Sequence, residues 1–147
     1  MSRYTKIGAD GATLPADATD HVAVLDTATG LMWSAGDVGG TPDDREIDHD
    51  AAELACAELD LAGHADWRLP TPHELFGLVD HAKHRPAIDT DAFPSCESDW
   101  YWSGCRLAAY PDFAWLVDFY HGSVNYYHRD GNARVRAVRV ASAPPRQ

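Results

Sequence analysis

A period-two pattern in residues 114–120 restricts this chain to a fold that contains an antiparallel sheet. The pattern predicts a strand that buries one face and exposes the other. Residues 121–122 supply a tight turn, and residues 123–128 form the returning strand of a hairpin. The apolar members of the pattern are Trp115, Val117 and Phe119, and the interleaved residues are Leu116, Asp118 and Tyr120.

The segments before this hairpin predict a second hairpin and a closing strand. Residues 22–25 and 31–33 are apolar runs, and the residues between them favour a turn. Residues 134–140 are strand-like and predict a strand that closes the sheet.

Two helices are predicted between the hairpins. Apolar residues recur at helical spacing from Asp48, and Gly63 stands where a helix is expected to end. Residues 71–74 then combine an N-cap Thr, a Pro at the first helical position and a Glu three residues after the cap, which is a capping box. Residues 75–79 continue this second helix with an apolar face, and Pro86 marks its limit. The order of elements is typical of an α+β protein.

The length of 147 residues fits one domain with a single core. Residues 1–21 predict an N-terminal arm, residues 22–141 the domain, and residues 142–147 a C-terminal tail. Four tryptophans lie in apolar surroundings and are expected in the core: Trp33, Trp67, Trp102 and Trp115. Three arginines near the C-terminus are expected to bind carboxylates within the fold: Arg134, Arg136 and Arg139.

The charge excludes some partners. A net charge of -11 opposes binding to nucleic acid and to anionic membranes. No apolar run reaches the ~18 residues that span a bilayer, and the first twenty residues lack the apolar stretch of a secretory signal. The expected location is the cytoplasm by default, and association with a phage or a cell surface through a partner stays open.

The cysteines and histidines do not form a recognisable metal or redox motif. Cys56, Cys96 and Cys105 make no CxxC, so reduced thiols are expected, although pairing of Cys96 with Cys105 stays open. His81 and His84 fit one helical face but have no fixed third ligand, and a solvated helix end is the preferred interpretation. No cofactor is expected, while the many aspartates leave a structural calcium open.

Several motifs, taken in order, resemble the C-terminal domain family of the Lcl collagen-like adhesins. They are 29–33 (TGLMW), 62–63 (AG), 66–71 (DWRLPT), 74–75 (EL), 88–89 (ID), 93–94 (FP), 101–103 (YWS), 114–115 (AW) and 135–139 (VRAVR). The resemblance runs from about residue 22 to 140. It implies a C-type-lectin-like fold, with two helices packed on a twisted, mainly antiparallel sheet, and a role in adhesion or ligand display.

A narrower resemblance is to the variable proteins of diversity-generating retroelements, which display a hypervariable surface on a lectin-like fold. Residues 114–129 alternate an apolar frame with residue types that adenine mutagenesis of Asn codons produces. The resemblance implies a binding surface around residues 107–128. The predicted ligand-contacting residues are Leu107, Tyr110, Leu116, Asp118, Tyr120, His121, Asn125, Tyr126, Tyr127 and His128.

The sequence leaves alternatives to this binding surface. Tyr126 and Tyr127 also fit cross-strand packing on a half-exposed sheet. The alternative function is that of an adhesin or fibre-tip assembly domain of the same family that is not diversified, and a remote alternative is a relative of the sulfatase-modifying oxidases. No nucleophile and base stand at a recognisable motif, so an enzyme is not expected. The expected partner is an unknown protein or cell-surface ligand, and a homo-oligomer stays open.

Overall fold

The computed structural model describes residues 3–94, 96–97 and 99–141, and the predicted tail at 142–147 lies outside the described residues. The chain is mostly sheet, with two antiparallel sheets and two short helices. In chain order the elements are β1 (Tyr4–Ile7), β2 (Ala23–Asp26), β3 (Leu31–Ser34), α1 (His49–Ala57), α2 (Pro72–Phe76), β4 (Trp100–Arg106), β5 (Phe113–Asp118), β6 (Ser123–His128) and β7 (Val138–Val140). The predicted mixture of antiparallel strands and two helices is confirmed, but the strands form two sheets instead of one.

The first sheet has the strand order β1-β2-β3-β7. The predicted hairpin of β2 and β3 is confirmed, with Ala23 opposite Ser34. Residues 4–7, which the sequence places in an N-terminal arm, instead form β1 against β2. Four residues are too few to show the alternation of buried and exposed side chains that predicts a strand. Pairing with β2, and not its own sequence pattern, therefore specifies β1. The buried amine of Lys6 then ties the strand to the following loop through the carbonyl oxygens of Ala16 and Ala18, both at 2.7 Å.

The predicted closing strand at 134–140 is regular only over β7. The backbone before it connects the two sheets. Arg134 N donates to Trp100 O and Trp102 N donates to Arg134 O, while Val38 N donates to Val135 O. Because these hydrogen bonds go to different elements, residues 133–137 do not continue one ladder.

The second sheet has the order β4-β5-β6, so β6 forms an edge. The predicted hairpin of β5 and β6 is confirmed, with Leu116 opposite Asn125 and Asp118 opposite Ser123. The turn between them needs Gly122, which has a φ of 81°.

Both helices are shorter than the sequence predicts. The sequence predicts helical spacing from Asp48, which proves to be the N-cap of α1, but the helix ends at Ala57 instead of near Gly63. Helix α2 has the predicted capping box between Thr71 and Glu74. It ends at Phe76, because residues 78–79 leave the helix to bury Leu78 and Val79 beneath the sheet. His81 and His84 therefore lie beyond the helix and share no helical face. No helix in the described ranges is long and apolar enough to cross a bilayer.

The core lies on both faces of β5. Ala114 and Leu116 belong to one apolar cluster with Trp67 and Trp102. Val117 and Phe119 belong to a second cluster, which contains Trp33, Tyr101 and the α2 residue Leu75. A strand with core on both sides has no exposed set of interleaved residues. This double burial is the reason that the predicted alternation holds only in part.

Candidate ligand-binding surface

Four rings form an aromatic strip on one face of the second sheet. The aromatic strip consists of Phe113 and Trp115 from β5 and Tyr126 and His128 from β6. The ring centroids of Phe113 and His128 lie 5.2 Å apart, and those of Trp115 and Tyr126 lie 5.9 Å apart. Tyr126 also lies 6.0 Å from Phe113. All three contacts are edge-to-face, the arrangement that the aromatic quadrupole favours.

The alternation of hydrogen-bonded and non-hydrogen-bonded pairs between β5 and β6 brings these rings together. Arg129 N donates to Asp112 O at 2.8 Å. Pairs in an antiparallel ladder alternate, so His128 opposite Phe113 and Tyr126 opposite Trp115 are pairs without mutual hydrogen bonds. Side chains approach most closely at such pairs.

The aromatic strip is open to solvent at β6. Tyr126 is 56% exposed and Val124 is 39% exposed. Trp115 and Phe113 are half-buried. The sequence predicts Trp115 in the core, and this prediction is wrong. The apolar cluster that covers Val117 on the same face does not extend to Trp115.

The predicted contact residues divide into three groups. The exposed ones are Tyr110, His121, Asn125, Tyr126, Tyr127 and His128, and the half-buried ones are Leu107 and Tyr120. Leu116 and Asp118 are buried, at 0% and 7% exposure, so both were wrongly predicted as contact residues. Leu116 packs in the first apolar cluster. The Asp118 carboxylate accepts a hydrogen bond from Tyr120 N at 2.7 Å and so shapes the hairpin turn.

Tyr127 faces the opposite side of the sheet from the aromatic strip. Its ring lies 5.0 Å from the ring of Trp100 and 6.3 Å from that of Trp102. It also covers Gly131 so closely that a Cβ there would overlap the ring. Both tyrosines thus make ring contacts with other strands of the sheet, as the alternative that the sequence left open requires, and Tyr126 is the more exposed of the two.

Arg129 fixes the end of β6 to helix α1. Its Nε donates to Nδ1 of His49 at 3.0 Å, and its Nη2 bonds the carboxylates of Asp50 and Glu53. The His49 ring is fully buried, and its Nε2 donates to Ser103 O at 2.8 Å. Burial lowers the pKa of His49. The neutral imidazole with Nε2–H satisfies both contacts.

The same three α1 side chains are the group in the described ranges that could offer three ligand atoms to a metal ion. The guanidinium of Arg129 already bonds His49, Asp50 and Glu53. A cation there would have to displace that guanidinium.

The C-terminal arginines bind groups within the fold. Arg134 bonds Asp37 at 2.6 Å, and Arg139 bonds Asp66 at 2.6 Å, so the predicted carboxylate partners are confirmed for these two. For Arg136 the prediction is wrong. Its buried Nη1 donates to the carbonyl oxygens of Ser34 and Ala35, and its guanidinium lies 4.6 Å from the ring centroid of Phe93.

A cleft of about 500 Å³ lies away from the aromatic strip. His21, Asp37, Arg45 and Leu59 contribute to its walls, and none of the rings of the strip does. The cleft and the aromatic strip are thus separate features of the described surface.

Comparison with known proteins then identifies the family of the chain. A family model, the Lcl C-terminal domain, matches residues 22–139. The chain belongs to the Lcl C-terminal domain family. The match confirms the family resemblance and covers β2 to β6 with the aromatic strip and the start of β7. No curated protein matches this Lcl C-terminal domain.

Sequence reasoning found β6 but missed two members of the aromatic strip, Phe113 and Trp115. The available signal was the register. Once Tyr126 is taken as exposed, its cross-strand neighbour Trp115 must share its face.

Proposed function

We propose that this Lcl C-terminal domain is a non-enzymatic binding module, and that the aromatic strip contacts a protein or cell-surface ligand. The observation that carries the proposal is that Tyr126 and His128 of the aromatic strip are exposed on β6, while β5, the strand that pairs with β6, packs in the core. Tyr and Trp give large contact areas at low cost in rotamer entropy, which is why binding surfaces are rich in them. The edge-to-face contacts hold the rings in place before a ligand arrives.

The chemistry of the thiols supports a binding role over an oxidase role. Burial raises the pKa of the Cys56 thiol to about 12 and raises that of Cys96 as well. A thiol with a raised pKa is a poor nucleophile at neutral pH, because the thiolate is the reactive form. Cys105 is half-buried on β4 and is the remaining candidate for a reactive thiol.

Binding to two kinds of probe array tests the proposal. The labelled chain is applied to immobilised oligosaccharides and to immobilised synthetic peptides of extended sequence. We expect saturable binding to members of one array, and loss of that binding in the triple variant Trp115→Ser, Tyr126→Ser, His128→Ser.

Leu54→Ser is the matched control, because Leu54 is an apolar side chain on α1 with 58% exposure. Equal signals from the triple variant and the control on every probe would refute the proposal. Circular dichroism of each variant shows that the fold is retained.

We infer that the two sheets and two helices form a C-type-lectin-like fold, as the family resemblance implies. The order of hairpin, two helices and second sheet supports this inference, as does the presence of β1 and β7 in one sheet. A crystal structure with a different strand order from C-type lectin domains would refute it.

We also propose that β6 is a site of sequence diversification. Residues 124–128 are all exposed, and none of them belongs to either apolar cluster. Comparison of the coding region with a near-identical genomic repeat tests this proposal. We expect mismatches only where the repeat has adenine, and mismatches at other bases would contradict it.

A further inference from the structure

The outer edge of β6 carries backbone groups without a strand partner. The ladder phase set by Arg129 N to Asp112 O turns the N–H and C=O groups of Val124 and Tyr126 away from β5. The N–H of His128 points the same way, while its carbonyl accepts from Gly131 N at 2.8 Å. In the described part of the chain no strand pairs with this edge.

Natural edge strands are commonly protected by a charged side chain, a proline or a bulge. β6 has the sequence SVNYYH, which contains none of Lys, Arg, Asp, Glu or Pro. Its register against β5 is continuous from His128 to Ser123 without a bulge. The described residues thus leave this edge open to a further strand, and the rings of the aromatic strip lie beside it.

Charge indicates what kind of strand fits. The chain has a net charge of -11, which attracts cationic partners. At the His128 end of β6 the Asp130 side chain is 93% exposed, and Asp112 is exposed beside it. The nearby Arg129 is neutralised by Asp50 and Glu53. At the Ser123 end of β6 the nearby charge is positive instead, because the guanidinium of Arg85 lies over the ring of Tyr120, 4.8 Å from its centroid.

We propose that β6 binds a polypeptide partner as an added antiparallel strand, and that this partner carries Lys or Arg where it passes Asp130. The proposal rests on the binding function proposed for the same surface and names its partner class. Backbone hydrogen bonds at Val124 and Tyr126 supply affinity, as in other cases of strand addition. The rings of Tyr126 and Trp115 receive alternate side chains, and a cationic side chain over an aromatic face gains a further attraction.

Binding of defined peptides by fluorescence anisotropy is the test. The probe is a short labelled peptide of alternating Lys and Val, and its counterpart has Glu for Lys. We expect saturable binding of the Lys peptide and at least about tenfold weaker binding of the Glu peptide, because like charges across an interface repel. A Lys peptide with every backbone nitrogen methylated keeps its charge but cannot donate to a strand, and we expect it to lose binding.

Substitutions at the edge supply the matched variants. Val124→Lys is expected to weaken binding of the Lys peptide and Val124→Glu to strengthen it. Leu54→Lys and Leu54→Glu make the same changes of net charge on α1 and are expected to have little effect. In NMR hydrogen exchange, the bound peptide should slow the amides of Val124, Tyr126 and His128.

Each outcome decides the matter. Equal binding of the methylated and unmethylated peptides, equal effects of the Val124 and Leu54 charge variants, or unchanged exchange at Val124 and Tyr126 would overturn strand addition. Binding of oligosaccharides that depends on the aromatic strip, without binding of the Lys peptide, overturns this inference and leaves the proposed function standing. Equal binding of every probe by the triple variant and by the unchanged chain overturns the proposed function, and the inference that rests on it falls as well.

Discussion

Nε of Arg129 donates a hydrogen bond to Nδ1 of His49, and the backbone N–H of His49 donates to the carbonyl oxygen of Arg129 at 3.0 Å. These two bonds join the end of the exposed hairpin to the first turn of α1. Protonation of His49 would place an N–H against the guanidinium and break the first bond. Asp50 and Glu53 from α1 also face the pair, with Glu53 at 3.7 Å from His49 Nδ1, and Arg106 of β4 adds positive charge.

Acid is therefore expected to destabilise the chain through His49. Burial lowers its pKa below the unfolded value, so the unfolded state binds more protons. The contribution to stability is complete above the unfolded pKa of about 6.5 and is lost as the pH falls through the lower folded value. Urea unfolding between pH 7.5 and pH 5 should show a smaller loss for His49→Gln than for the unchanged chain. Identical losses in both proteins would contradict the prediction.

Leu116→Ala is expected to cost about 2–5 kcal/mol of unfolding free energy, because Leu116 is fully buried and leaves a cavity. Asn125 lies opposite Leu116 on exposed β6, and Asn125→Ala should change stability by less than about 0.5 kcal/mol. Denaturant melts of the two variants make the comparison. Similar values would show that Leu116 is not a core residue.

Gly131→Ala is expected to cost about 1–3 kcal/mol, because the new Cβ overlaps the ring of Tyr127 and forces it from Trp100. A double-mutant cycle separates this overlap from a backbone effect. In a Tyr127→Ala background the added methyl should cost much less. A cost that is the same in both backgrounds would place the effect elsewhere.

The three thiols are expected to differ in reactivity. With iodoacetamide at pH 8, Cys105 should react first, whereas buried Cys56 should react only after unfolding because its pKa is raised to about 12. Mass spectrometry of timed samples gives the order. All three thiols should titrate after unfolding without a reductant, since Cys96 and Cys105 are free. Two missing thiols would instead indicate a disulfide.

Local signals in the sequence predicted the elements that local chemistry specifies. The capping box of Thr71 and Glu74 and the turn at Gly122 are examples, because their hydrogen bonds or backbone angles depend on a few neighbouring residues. The positions of Leu116 and Trp115 could not be predicted in the same way. Burial of Leu116 depends on residues 67, 102 and 135, which meet it only in the folded chain.

The extent of the helices also depends on distant contacts. Leu78 and Val79 continue an apolar helical period, yet they leave α2 to fill the second apolar cluster. The candidate site was predicted in outline, since β6 and most of its exposed residues follow from the pattern and the resemblance. Its rings on β5 required the cross-strand register.

The central strand β5 contributes side chains to both apolar clusters, with Leu116 in the first and Val117 in the second. Unfolding of one cluster is therefore expected to disrupt the other, because both pack against the backbone of β5. Heat or denaturant should thus unfold the whole chain in one transition that fluorescence and far-ultraviolet dichroism report with the same midpoint.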